Sequence, residues 1–132
     1  MTKRVLIVED EALVALTLED ILLEAGYKVC GIAQEPEEAL RLAREHAPHI
    51  AVVDVRLADQ GDGIALADTL AMMGPILILF ATGNPAEVRE RARAGHGCLT
   101  KPFGAEWLLA ALDSIQSGAT KTIPGYFPLP DA

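Results

Sequence analysis

Positive charge is in short supply in this chain of 132 residues, with 11 Lys and Arg against 19 Asp and Glu and a net charge of −8. A protein that tracks nucleic-acid phosphates or an anionic membrane needs clustered cations, so direct binding to either is not expected. Cysteine is equally sparse: Cys30 and Cys98 stand alone, with no CxxC pair and no metal-ligand spacing. No apolar run approaches the ~18 residues that span a bilayer. The basic start, Met1 to Arg4, is followed by only four apolar residues, Val5 to Val8, before Glu9, too short for a signal-peptide core. Reduced thiols and a cytoplasmic location are the expectation. What the chain has is apolar content, 51% of residues, enough for a packed core and too much for a disordered segment.

The apolar pattern alternates between two periods. Val5–Val8, Val29–Ala33, Ile50–Val53, Ile76–Ala81 and Gly97–Thr100 are short apolar runs, as buried parallel strands require. Between them, Val14/Leu18/Ile21/Leu22, Ala39/Leu40/Leu42/Ala43, Leu66/Leu70/Met73, the Glu- and Arg-rich 85–94 and Leu108/Ala111/Leu112/Ile115 fall at helical spacing. Five strands alternating with five helices predict an α/β domain over residues 1–118, its parallel sheet covered on both faces. The tail, 119–132, carries three prolines and no further strand–helix unit; a frayed end or docking through Tyr126 and Phe127 are its two readings.

In an open α/β sheet, ligands bind beyond the carboxyl ends of the strands. The first strand ends in Glu9-Asp10-Glu11, the third in Asp54, the fourth in Thr82-Gly83 and the fifth in Thr100-Lys101-Pro102. One carboxylate after a strand is commonly a helix cap, and Asp10 could cap the first helix. Four strand ends bearing such groups point instead to a shared site. Converging carboxylates repel one another unless a cation joins them, and a hard divalent ion with oxygen ligands, Mg²⁺ or Mn²⁺, does so while leaving room for a phosphate. A carboxylate can then attack phosphorus to form an acyl phosphate. Lys101 and Thr82 would meet the phosphoryl oxygens, and Gly83 would let them approach the backbone.

Val8-Glu9-Asp10-Glu11, Val53-Asp54-Val55-Arg56-Leu57, Phe80-Ala81-Thr82-Gly83 and Leu99-Thr100-Lys101-Pro102-Phe103 together resemble the receiver domain of two-component response regulators over about residues 3–118. The resemblance implies a flavodoxin-like, doubly wound (βα)5 sandwich with strand order 2-1-3-4-5. It implies Asp54 as phosphoacceptor, and Glu9, Asp10, Asp54 and the Arg56 carbonyl as holders of Mg²⁺, Glu9 through water. Thr82 matches the switch hydroxyl and Lys101 the phosphate-binding lysine, with a cis peptide at Lys101–Pro102. The implied partner is a sensor histidine kinase or a histidine phosphotransfer protein. A stand-alone receiver, monomeric or weakly dimeric, would then signal by docking a partner or serve as a phosphate sink. It would assist its own phosphorylation and dephosphorylation without being an enzyme in the ordinary sense.

Two features depart from that pattern. Cys98 stands where most receivers carry a Tyr or Phe that swings inward with the threonine. Phe80-Ala81-Thr82-Gly83 is similar to a group of single-domain receivers that also lack this aromatic, although Pro75 lies further from the threonine than their usual proline. With Cys30 and Cys98 on opposite edges of the implied sheet, no disulfide is expected, since bridged Cα atoms lie within about 7 Å. His46 and His49 flank Pro48 and read as surface residues rather than a zinc pair. Arg89, Arg91 and Arg93 are interleaved with Glu87 and Glu90 and read as a solvated helix, or else as part of the receiver output face together with Trp107. Two other functions stay open at this point: a receiver-shaped interaction module that takes no phosphate, and a flavodoxin-type FMN carrier, which Glu9-Asp10-Glu11 would disfavour by repelling the flavin phosphate.

Overall fold

β-branched and aliphatic residues fill both pleat faces of the central strands, which forces them into the interior. The computed structural model describes residues 2–118 and 122–130. It shows β1 (Arg4–Val8), β2 (Lys28–Ala33), β3 (Ile50–Val53), β6 (Leu77–Thr82) and β7 (Gly97–Thr100) as parallel neighbours in the order β2-β1-β3-β6-β7. Counting only these five strands, this is the 2-1-3-4-5 order. Alternate residues feed two cores. Leu6, Val8, Ala51, Val53, Ile78, Phe80 and Cys98 face one side, where α2 (Pro36–His46), α3 (Gly63–Met73) and α4 (Pro85–Arg91) pack. Val5, Ile7, Ile50, Val52, Leu79, Ala81 and Leu99 face the other, under α1 (Ala12–Glu24) and α5 (Ala105–Ser117).

Helix ends follow the local chemistry. Asp62 caps α3 by accepting from the backbone N–H groups of Ile64 and Ala65, and Glu35 caps α2 by accepting from that of Glu38. Asp10 does not cap α1; the cap position is Glu11, which makes no side-chain cap bond, so Asp10 is left free to face the rim. The Arg- and Glu-rich helix is shorter than its composition suggests and ends at Arg91. The loop after β3 folds into a two-rung hairpin, β4 (Arg56–Leu57) and β5 (Gly61–Asp62). No helix among the described residues is long and apolar enough to cross a membrane.

The sheet has one strand more than the expected five. Tyr126–Pro128 form β8, antiparallel to β7, with Cys98 opposite Phe127 and Leu99 opposite Tyr126. Along the tail, then, docking through the two rings prevails over fraying. It also places β7 inside the sheet, so Cys98 is not on an edge; both cysteines are free. Ring direction alternates as strand geometry requires: Phe127 packs with the Phe80 core and Tyr126 with the Leu99 core.

Candidate functional site

Four strand ends converge at the carboxyl rim of the sheet. β1 delivers Glu9, 2% exposed, and β3 delivers Asp54, 9% exposed, while Asp10 beside them is open to solvent. One oxygen from each of these three carboxylates lies within 4.8 Å of the others. Lys101, one residue beyond β7, places its Nζ 2.5 Å from Glu9 Oε1 and 2.8 Å from Asp54 Oδ2. The ammonium thus bridges two buried carboxylates that would otherwise repel each other.

The remaining oxygens are held from the main chain. Glu9 Oε2 accepts the Glu11 N–H at 3.2 Å, and Asp54 Oδ1 accepts the N–H of Val55 at 2.7 Å. Burial pushes the Glu9 carboxyl above its ordinary range, with Asp54 adding to the shift against the pull of Lys101. For Lys101, burial acts to lower the ammonium's pKa, but hydrogen bonds to Asp54 and Glu9 outweigh it and hold the group above its ordinary range. Three carboxyl groups thus share the rim with a single lysine.

Thr82 ends β6 fully buried, its Oγ1 accepting the Asn84 N–H at 3.0 Å. Its carbonyl accepts the Lys101 N–H at 2.9 Å, which fastens the lysine's backbone to the threonine's strand. The Lys101–Pro102 peptide is cis, as the resemblance implied. Gly83 has no heavy atom within 4 Å of where a side chain would start, so the backbone there is open to an approaching oxygen. The Arg56 side chain leaves the rim: its guanidinium bonds Glu87 Oε1 at 3.0 Å. Glu87 also bonds Arg91, which in turn holds Asp62. These contacts tie α4 to the hairpin after Asp54.

One residue of the site is singled out by no sequence motif. Gly63 opens α3 directly against the backbone of Asp54, where a Cβ would stand 1.8 Å from that residue's carbonyl oxygen. Its N–H donates to the Val55 carbonyl at 2.7 Å. The available signal was the glycine itself, nine residues after Asp54 at the mouth of a helix, where a side chain costs nothing unless another backbone is close.

Features remote from the rim resolve as structural. His49 Nδ1 accepts the Arg4 N–H at 3.0 Å, and the His46 carbonyl accepts from Arg4 Nε at 3.0 Å, so the two histidines brace β1. Arg89 stacks 3.6 Å above the Phe127 ring, while Trp107 is half-buried against the α1/α5 core. Cys98 is fully enclosed, and burial pushes its thiol up to about 12.

A doubly wound sheet carrying clustered carboxylates, a buried hydroxyl and a lysine on its carboxyl rim has the make-up of a receiver-type signalling domain. The profile of the response regulator receiver domain matches residues 5–113, and the chain belongs to that family, the receiver module of two-component signalling. It is 37% identical over 115 residues to the transcriptional regulatory protein PdtaR of Mycobacterium tuberculosis, covering 84% of this chain and 55% of that protein. The chain thus spans about half the length of that relative. The chemotaxis protein CheY of Thermotoga maritima is 34% identical over 87% of this chain and 98% of its own. Among solved structures, PhyR from Brucella abortus superposes with a TM-score of 0.76 at 30% identity, over 87% of this chain and 47% of that one. The receiver domain of PhyR from Erythrobacter litoralis gives 0.81 at 23% identity over 92% and 97%, a likeness of fold.

Proposed function

We propose that this receiver accepts a phosphoryl group on Asp54 from a phosphohistidine of a sensor kinase or histidine phosphotransfer protein, and signals through the resulting change of conformation. The observation that carries this reading is the Lys101 ammonium bridging buried Glu9 and Asp54, with Asp10 within reach of both carboxylates. Asp54 Oδ2 would attack phosphorus; the phosphorus–nitrogen bond breaks and its electron pair leaves with the imidazole. Lys101 then moves its ammonium from the carboxylate to the phosphoryl oxygens, where charge builds. Thr82 supplies a hydroxyl donor, since the Asn84 N–H that its Oγ1 accepts leaves its own proton uncommitted, and the open backbone at Gly83 admits the oxygens. The same groups would orient water for the slower hydrolysis of the acyl phosphate.

The donor set fits Mg²⁺: hard carboxylate oxygens, close together, with a single ammonium among them. Glu9, Asp10, Asp54 and the Arg56 carbonyl would hold it. When bound, the ion supplies positive charge that offsets the carboxylates and the incoming phosphoryl oxygens. Manganese satisfies the same donors.

Output by docking of a partner and service as a phosphate sink share the same chemistry at Asp54. Intact-mass spectrometry after incubation with Mg²⁺ and acetyl phosphate, beside Asp54→Asn, tests the proposal. A single phosphoryl adduct on the native chain alone is expected. Absence of an adduct with both acetyl phosphate and a phosphorylated kinase would leave an interaction module that works by binding.

A further inference from the structure

The tail strand sits in a seat prepared for it. At Gly97, an added Cβ would fall 2.6 Å from the Tyr126 ring, so only glycine leaves space for that ring. At Gly95, where φ is +120°, a Cβ would meet Phe80 at 2.7 Å and Leu129 at 3.3 Å. Cys98, the small residue in the place of an aromatic, lies opposite Phe127, and Arg89 of α4 closes over that ring. Ile123 is buried as well, 6% exposed. The tail therefore returns an aromatic to the neighbourhood of residue 98, but from a segment that can leave.

β8 also touches the phosphate-handling strand. The Thr100 N–H donates to the Gly125 carbonyl at 2.8 Å, and the Leu129 N–H donates to the His96 carbonyl at 3.1 Å. Thr100 precedes Lys101, so the rung nearest the rim is one residue from the ammonium. A phosphoryl group on Asp54 needs space that the Lys101 Nζ now occupies, 2.8 Å from Oδ2. The Nζ must shift towards the phosphoryl oxygens, and the Thr100–Gly125 rung is the contact of β8 nearest to that shift. That strand is three residues long, includes a proline without an N–H, and has both rings half-exposed, the low-stability end of the fold.

We propose that residues 122–130 form a releasable strap against α4 and β7, and that phosphorylation of Asp54 loosens it. This rests on the phosphoacceptor role of Asp54. Linkage makes the effect a coupling free energy between the strap and the rim, ordinarily 5–150-fold in an equilibrium.

Hydrogen exchange at the Thr100 and Leu129 amides reads the strap directly. The full chain is incubated with Mg²⁺ and acetyl phosphate, whose phosphorus–oxygen bond breaks as acetate leaves with the electron pair; intact mass counts the adduct in the same sample. Exchange at both amides should rise about tenfold in the phosphorylated chain and not in Asp54→Asn. Gly97→Ala, which crowds the Tyr126 ring, and Phe127→Ala, which alters only the tail, should each raise exchange without phosphorylation and abolish the response to it. An adduct with unchanged or slower exchange overturns the strap while leaving the phosphoacceptor role standing. Unchanged exchange in both variants overturns it too. No adduct on the native chain overturns the phosphoacceptor role and the linkage together.

Discussion

Replacing Lys101 with methionine removes a cation whose side chain is only 20% exposed and which contacts two carboxylates at 2.5 and 2.8 Å. At an effective dielectric of about 20, each contact corresponds to roughly 6 kcal/mol of gross attraction. Desolvation of the three groups cancels most of it, and breaking buried pairs of this kind costs about 3–5 kcal/mol. The lower figure applies, because Glu9 has an escape: it can take up a proton. Its carboxyl already sits above the ordinary range through burial, and loss of the ammonium pushes it higher. A folded-state acid with a raised pKa binds more protons than the unfolded chain, so stability rises as pH falls through the folded pKa towards the ordinary carboxylate range. Denaturant titration in chelator should therefore show Lys101→Met less stable by about 3 kcal/mol near pH 7.5 and by a smaller margin near pH 5. For a domain of this size the larger figure is a melting point lower by about 10 °C. Equal stability of native and variant near pH 7.5 without divalent ions would refute the bridge, as would a penalty that grows on acidification.

Further expectations share the same reasoning. Gly63→Ala would drive a methyl into the Asp54 carbonyl, 1.8 Å away, and should cost more than about 4 kcal/mol and the phosphoryl adduct with it; a variant that melts like the native chain and still takes phosphate refutes the close contact. Mg²⁺ should raise the native melting point, by about 2.7 kcal/mol of stabilisation at a hundredfold excess over its dissociation constant, and Asp54→Asn should respond far less; an equal response places the ion elsewhere. Asp54→Asn should keep the fold, since it also removes the charge that pushes on Glu9. The Cys98 thiol, enclosed and pushed up to about 12, should stay inert to aqueous thiol reagents until the chain unfolds, whereas the half-buried Cys30 reacts first; labelling with peptide mapping would show the order.

The parallel strands were legible because each is a short apolar run between turn signals, and a buried strand has few alternatives to that pattern. Glu9, Asp54, Thr82 and Lys101 were legible because strand ends in this architecture converge whatever the loops do. β8 was not. Its three residues include Pro128, lie among other prolines, and have no apolar periodicity; what holds them is space left by Gly95 and Gly97, thirty residues earlier. The role of Gly63 stayed hidden for a related reason, since turn glycines look alike until the opposing backbone is placed. Arg91 pairs with Glu87 at i,i+4 on its own helix, which the sequence spacing allows, but it also reaches Asp62 of the hairpin, a contact between distant elements that no local pattern encodes.

The irregular edge at β2 bears on how copies of the chain meet. Pairing of β1 with β2 slips between Val5 and Leu6, skipping Cys30, so the outer strand is bent just where a flat ribbon would template another. The opposite border is β8, only three residues long and ending in Pro128, which has no N–H to offer a further strand. A chain stripped of its tail would instead border on β7, four residues without a proline. One border bent and the other short and proline-bearing, the sheet offers a second copy little to extend.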